Sequence, residues 1–465
     1  MLSPPSFTRI STLAGGDELT TESPVTSISE LVDYVRDGET PVDRFQVGTE
    51  HEKIGLRRED LGSVPFEGER GIGALLEQVA REDGWNRVFE AETLIALEKD
   101  GASITLEPGG QLELSGAPVR TIFETCQEFN RHLDLIRRVS EPMGLVWLSL
   151  GCNPLHEVAK IPRMPKARYR IMSDYLPTRG EFSLHMMHLT ATVQANLDYS
   201  DEADMAAKMR AAMGITPVVS AIFANSSLSG GKPSGFISQR IHFWRYTDPD
   251  RCGLLPFVFD PDFGYARYVD WAVDIPMFFV VRDGRYLPAW GMTFRQFVKT
   301  GLEGHRATLA DFDRHLTTLF PEVRLKRVLE VRGADAVPSH LACALPAFWK
   351  GILYDAEALS AAWELVEDWS FEEREAALDA VSRQGLAAEV PGGPVLPLAR
   401  ELVSIAFGGL RRIAHPGESR DDERGFLEPL FEQLETGRSP GQVILDRWEG
   451  EWGGSFERLI NYARY

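Results

Sequence analysis

Four stretches of this chain alternate apolar and polar residues with a period of two, and their polar positions are mostly acids, amides and cations. In "VGTEHEKIG", Glu50 and Glu52 point one way while Val47, Thr49 and His51 point the other, because successive strand side chains take opposite faces. In "TATVQANLD", Thr192, Gln194 and Asn196 share a face opposite Val193 and Leu197. In "VRLKRVLEVRG", Lys326, Glu330 and Arg332 oppose Leu325, Leu329 and Val331. The fourth stretch, "EPGGQLELSG", gives Glu107, Gln111 and Glu113 one parity, with a Gly-Gly able to break the register. A strand with one face on the core and one in water is the ordinary source of such alternation. A merely solvated face also carries Lys and Thr, however, whereas Glu-x-Glu, Gln-x-Asn and Glu-x-Arg gather oxygen ligands. Carboxylates held close repel one another and favour protonation unless a cation sits among them. Hard oxygens on one concave face are what Mg²⁺ takes, and no loop has the ligand spacing of an EF-hand. The pattern predicts a metal-lined bowl of strands.

The remaining chain fits an α+β protein with an antiparallel sheet. A helix is predicted from near Ser27, a strand over 44–56, a helix over 72–82 and a strand or tight hairpin over 103–114. Helical spacing of Val119, Ile122, Phe123, Cys126, Phe129, Leu133 and Ile136 marks 118–139 and assigns Cys126 to core packing. "SDEAD" after residue 199 reads as the start of a further helix. Residues 321–335 alternate, and long helical stretches fill the chain from about 355. The expected organisation is a flexible lead-in over 1–24, a catalytic sheet domain over 25–354, and a mainly helical region over 355–465 packed upon it.

A net charge of −20 argues against nucleic acid as a partner, since phosphate backbones need a surplus of Lys and Arg. The longest apolar run, "IPMFFVV", is too short to span a bilayer, so no membrane partner is expected. Four widely spaced cysteines give no zinc ribbon and no disulfide framework, which points to a reducing cytoplasm. Two cationic clusters stand out in so acidic a chain. "MPKARYRIM" brings Lys166, Arg168 and Arg170 around Tyr169, and "SQRIHFWRY" brings Arg240, His242, Trp244 and Arg245, with Arg240 and His242 on one face of an expected strand. Such clusters suit a carboxylate or phosphate held by Arg. "SGGKPSG" lacks the Walker spacing and reads as a turn. The His185 and His188 pair of "HMMH" has no evident third zinc ligand, and no G-x-S-x-G elbow occurs.

Taken together, "GTEHEKIG", "ITLEPGGQLELSGAP", "IPRMPKARYRIM", "TATVQANLDYSDEADM", "FANSSLSGGKPSGFISQR", "GMTFRQF", "LTTLFPEVRLKRVLEVRGAD" and "CALPAFW" resemble, in order and over nearly the whole chain, the plant-type glutamate–cysteine ligases of plants and bacteria. The resemblance implies a glutamine-synthetase-like bowl of largely antiparallel strands surrounded by helices. It implies ATP-dependent ligation of the glutamate γ-carboxylate to the cysteine α-amine through a γ-glutamyl phosphate, with about two or three Mg²⁺ ions and ATP as co-substrate. By motif match, Glu50, Glu52, Glu107, Glu113 and Glu330 would hold metal, with Gln194 where more distant relatives have histidine. Arg332 would stabilise the transferring phosphoryl group, Glu330 would act beside it, and Lys53 and Lys326 would touch phosphate. Arg168 and Arg240 would hold the glutamate carboxylate, with Trp244 as a wall. Two departures stand against the family pattern. Ala289 and Trp290 precede "GMTF" where plant enzymes have cysteine, so no hairpin disulfide switch is expected. Phe278 stands where relatives have tyrosine, which leaves open a γ-glutamyl ligase using a different amine. Monomer and homodimer both remain open.

Overall fold

The computed structural model describes residues 23–414 and 422–465. Residues 1–22 of the expected lead-in lie outside the described residues, whereas Pro24 already bridges to Thr308 and the Val25 N–H donates to the Ala307 carbonyl at 2.8 Å.

The longest strand of the main sheet, β1 (Val47–Arg57), organises the nine that compose it. The others are β2 (Asn86–Glu90), β3 (Thr93–Lys99), β4 (Ala102–Leu106), β5 (Leu112–Ser115), β6 (Leu145–Leu148), β7 (Val193–Leu197), β8 (Val323–Leu325) and β9 (Leu329–Val331). Their order is β8-β9-β7-β1-β5-β4-β3-β2, with β6 paired to the far half of β1, and every pairing is antiparallel. This matches the expected α+β class with its antiparallel sheet. Residues 321–335, which read as one alternating run, form instead a tight hairpin, with the Lys326 N–H donating to the Val328 carbonyl.

The Gly-Gly between β4 and β5 has two local reasons. Gly110 takes φ +83°, a left-handed conformation that side chains disfavour. A Cβ on Gly109 would lie 2.2 Å from the His188 carbonyl oxygen. The turn closes with Gly110 N–H to Glu107 O and Glu107 N–H to Gln111 O, each at 2.9 Å.

Two helices cover the core face of β1. Ile122–Ser140 starts at Thr121, whose hydroxyl accepts from the Glu124 N–H in a capping box, and Ala344–Leu353 packs on β7 and β1. Glu202–Ile222, capped by Asp201, is buried along most of its length and lies against β8, β9 and the later helices Ala356–Glu364, Phe371–Gln384 and Val395–Ile413. One buried apolar cluster includes residues from Val25 to Leu434. Among the described residues, no helix is long and apolar enough to cross a membrane.

Three sequence expectations change. Residues Gln239–Arg245 are a helix, not a strand, capped by the Ser238 hydroxyl, which accepts from the Ile241 N–H. The segment is short and rich in residues that also suit strands, so alternation outweighed its cap. His242 therefore stacks on Phe236 while Arg240 turns inward, and the two share no face. Cys126 is half-buried as expected but bonded, joined to Cys343 with Cα atoms 5.7 Å apart across 217 residues. Spacing along the chain carries no signal for so distant a pairing, and the expectation of no disulfide fails. The bond ties the start of Ala344–Leu353 to Ile122–Ser140, the two helices behind β1. By loop entropy, closing so long a loop is worth about 5 kcal/mol. Reduction is expected to lower the melting temperature by several degrees, and a Cys126→Ser/Cys343→Ser protein should melt at one temperature with or without reductant in a calorimetric scan.

Candidate active site

Register brings the predicted acids together. Glu52 pairs with Glu113, Glu50 with Gln194 and Glu330 with Asn196, and directly paired residues share a face. The Asn196 amide donates to Glu50 at 3.2 Å and the Thr192 N–H to Glu52 at 3.0 Å, while the Ser115 hydroxyl donates to Glu113. Glu107, at the start of the turn, receives a long hydrogen bond of 3.5 Å from the Tyr169 hydroxyl. Burial, then the charges of Glu330 and Glu113, pushes the Glu50 carboxyl up to about 7, against the pull of Lys326 and Arg324. Burial and Glu107 push Glu113 up to about 7 as well, and burial with Glu107 and Glu113 holds Glu52 well above the usual carboxylate range. Lys166, beside them, donates to the Leu106 carbonyl, and burial pushes its ammonium down to about 8.

The neighbouring edge of the same face is cationic. Glu330 is fully buried, held by Arg324 at 2.6 and 2.8 Å, by Lys326 at 2.9 Å and by Arg332. Burial alone would raise its carboxyl, but the three cations together bring it well below the usual range. Arg332 also donates to the Gln194 side-chain oxygen at 2.8 Å, and Arg240 donates to the Arg332 carbonyl at 2.9 Å. The Trp244 ring lies 5.5 Å from the guanidinium carbons of both Arg240 and Arg332. Arg168 comes from a different element, helix Ala167–Tyr175, with its guanidinium over Phe279 at 5.8 Å. Buried N–H groups of Arg168 Nε, Arg240 Nε and Trp244 Nε1 have no hydrogen-bond partner. Orphan donors on arginines suit an anionic ligand.

Residues 46–462 match glutamate-cysteine ligase family 2 (GCS2). The chain belongs to that family. The chloroplastic glutamate–cysteine ligase of Medicago truncatula is 44% identical over 97% of this chain and 87% of its own length. That of Arabidopsis thaliana is 43% identical over 94% and 82%. In three dimensions the chain is similar to a glutamate–cysteine ligase from Francisella tularensis solved with AMP, at TM-score 0.53 and 12% identity over 90% of this chain and 86% of that one. The two plant relatives are named chloroplastic, so the cytoplasmic location expected from the cysteines is withdrawn. Few cysteines report on a redox state, not on an organelle, and two of the four are bonded here.

Within this glutamate–cysteine ligase fold, three sequence assignments are affected. Lys53 has the parity of His51, not of Glu52, and lies fully buried on the core face. Its ammonium donates to the His51 carbonyl and stands near the Phe129 and Tyr465 rings, so it is no phosphate contact. Burial pushes it down to about 7, against Glu113 and Glu52. Gln111 turns its amide to the Met187 and Thr190 carbonyls and accepts from the Gly109 N–H, tying the turn down rather than lining the bowl. Both oxygens of Glu330 are engaged by cations, which departs from the ligand role the motifs implied. Sequence reasoning also missed Arg324, although it shares the parity of Lys326 and Glu330, and it missed Asn196 as a partner of Glu50.

Among the described residues, no three His, Cys, Asp or Glu side chains already stand close enough to hold an ion. The fit to a divalent cation rests instead on Glu50, Glu52 and Glu113, whose mutual repulsion a cation would relieve. An acid raised from 4.5 to about 7 stabilises the folded state below pH 4.5, and that contribution is lost as pH rises through about 7. Mg²⁺ needs the same acids ionised. Added MgCl₂ should therefore raise the melting temperature more at about pH 8 than at about pH 6, and equal shifts would detach these acids from metal. Lys53→Met, judged by steady-state kinetics on the folded variant, should leave KM for ATP unchanged.

Proposed function

We propose that this sheet face carries out the family's reaction, ATP-dependent joining of the glutamate γ-carboxylate to the cysteine α-amine, which opens glutathione biosynthesis. One observation supports this most: an acidic wall and a cationic wall meet on a single face, at the Glu50–Asn196 contact beside Glu330. A carboxylate does not acylate an amine unaided, because oxide is a poor leaving group; phosphorylation supplies a good one. The first step brings an anion toward a polyanion, so positive charge and alignment carry the catalysis.

Glu50, Glu52, Glu107 and Glu113 would hold more than one Mg²⁺, with Gln194 as a neutral oxygen nearby. When bound, Mg²⁺ would offset the charge of the triphosphate and orient it. Arg332, aligned by Glu330 and Gln194, faces the phosphoryl group in transfer, and Lys326 stands beside it as a phosphate contact. Arg240 and Arg168, whose Nε–H groups are unpaired, hold the carboxylates of glutamate, and Trp244 walls the pocket. With the γ-carboxylate phosphorylated, the free amine of cysteine attacks its carbonyl and phosphate leaves. The different-acceptor reading rested on Phe278. That ring is buried, 4.1 Å over the Arg251 guanidinium and edge-on to Tyr175, so its missing hydroxyl leaves no gap on the acidic face.

Phosphate release with Mg-ATP and glutamate should rise sharply on adding cysteine or 2-aminobutyrate, since the amine and not the thiol is the nucleophile. Arg332→Ala and Glu52→Gln should each lower turnover about a hundred-fold or more. Near-normal turnover in either would overturn its assigned role.

A further inference from the structure

Asp335 lies outside the acidic wall and the reaction uses none of its atoms, yet it is 1% exposed and fully engaged. Its Oδ2 accepts from the Asn225 N–H at 2.7 Å and the Ser226 hydroxyl at 2.6 Å, and its Oδ1 accepts from the Ser238 hydroxyl at 2.9 Å. Each serine passes the constraint on. Ser226 Oγ accepts from the Arg240 N–H at 3.1 Å, and Ser238 Oγ accepts from the Ile241 N–H at 3.2 Å as the cap of helix Gln239–Arg245. The Arg240 side chain then returns to the Arg332 carbonyl, three residues before Asp335 in the chain. Thr192, next to β7, fixes the same segment by donating to the Ala334 carbonyl at 2.6 Å. The result is a closed circuit from Arg332 through Arg240, the two serines and Asp335 back to Arg332. There is little slack in it, since a Cβ on Gly151 would come within 2.6 Å of three Asp335 side-chain atoms.

We propose that Asp335 is a positioning residue which, through Ser226 and Ser238, fixes the first turn of helix Gln239–Arg245, and with it where the helix presents Arg240 and, one turn on, Trp244, and so governs the grip on the glutamate substrate rather than on ATP. This rests on the assignment of Arg240 to the glutamate carboxylate. The circuit explains why an acid should sit where water cannot reach it: a carboxylate accepts several hydrogen bonds at once and donates none. A neutral asparagine in its place offers one acceptor oxygen and turns a donor toward one of the hydroxyls, so one arm slackens while the volume is kept.

The test is steady-state kinetics on Asp335→Asn, Ser226→Ala and Ser238→Ala, with Ser238→Thr restoring the hydroxyl and Arg240→Lys as reference. Losing a hydrogen bond to a charged group predicts a rise in KM for glutamate of about ten-fold or more, with KM for ATP unchanged and Ser238→Thr near the parent protein. The serine variants keep the question answerable if Asp335→Asn fails to fold. If Arg240→Lys raises KM for glutamate while folded Ser226→Ala and Ser238→Ala do not, the positioning role is overturned and the assignment of Arg240 stands. If Arg240→Lys leaves KM for glutamate unchanged, that assignment falls and takes the proposal with it. A parallel rise in KM for glutamate and ATP would mark general loosening of the site and overturn the proposal too.

Discussion

The antiparallel register of β1 against β5 and β7 is the constraint on which the rest depends. It sets Glu52 opposite Glu113 and Glu50 opposite Gln194, so that one face collects like charges that water would otherwise keep apart. A slip of one residue would turn every one of these side chains toward the core and bring His51 and Lys53 out. The core face resists that slip. Leu112 and Leu114 on β5 and Val193, Ala195 and Leu197 on β7 are buried, and helices Ile122–Ser140 and Ala344–Leu353, joined through Cys126 and Cys343, close over β1. Apolar burial at about 25 cal/mol per Å² therefore sustains a gathering of carboxyl groups that repel one another once ionised.

The two walls of the site settle their electrostatics in opposite ways. On the β1–β5 side the carboxylates lack enough cations and drift toward protonation. On the β9 side a single carboxylate is surrounded by Arg324, Lys326 and Arg332 and is held ionised. One wall is short of positive charge and the other has it in excess. A metal–triphosphate complex has the same polarity, and complementarity of this kind orients a ligand as well as attracting it.

Much of this could be read from the sequence, because strand parity is strict where a strand is real. Glu50, Glu52 and Glu113 follow from period two, as do Gln194, Glu330 and Arg332. Lys53 was legible by the same rule, and only motif likeness placed it at phosphate. Arg324 was equally legible, since it pairs with Glu330 across the hairpin. What local pattern could not supply was anything set by tertiary contact. Helix Gln239–Arg245 is fixed by Ser238 and by Asp335, 97 residues away. The Cys126–Cys343 bond spans 217 residues, and the glycine at 109 is required by a carbonyl from another helix. Period tells which face a side chain takes, not which partner it meets there.

Glu330 shows where this distinction matters for chemistry. Motif likeness groups it with the metal ligands, yet its oxygens accept from two guanidinium groups and lie within ion-pairing distance of an ammonium, with no exposure to solvent. A metal at Glu330 would compete with the ion pairs that its oxygens already make with Arg324, Lys326 and Arg332. The acids of β1 and β5 face the opposite balance, since for them a cation removes repulsion. On the proposed reading, this gradient of cost across the face would favour divalent ions toward Glu52 and Glu113, with Glu330 holding Arg332 against Gln194. In the proposed reaction, an arginine fixed by its own carboxylate and amide before substrate arrives would not need to reorganise as charge develops on the phosphoryl oxygens, and such preorganisation is the larger part of what a group in that role contributes to rate.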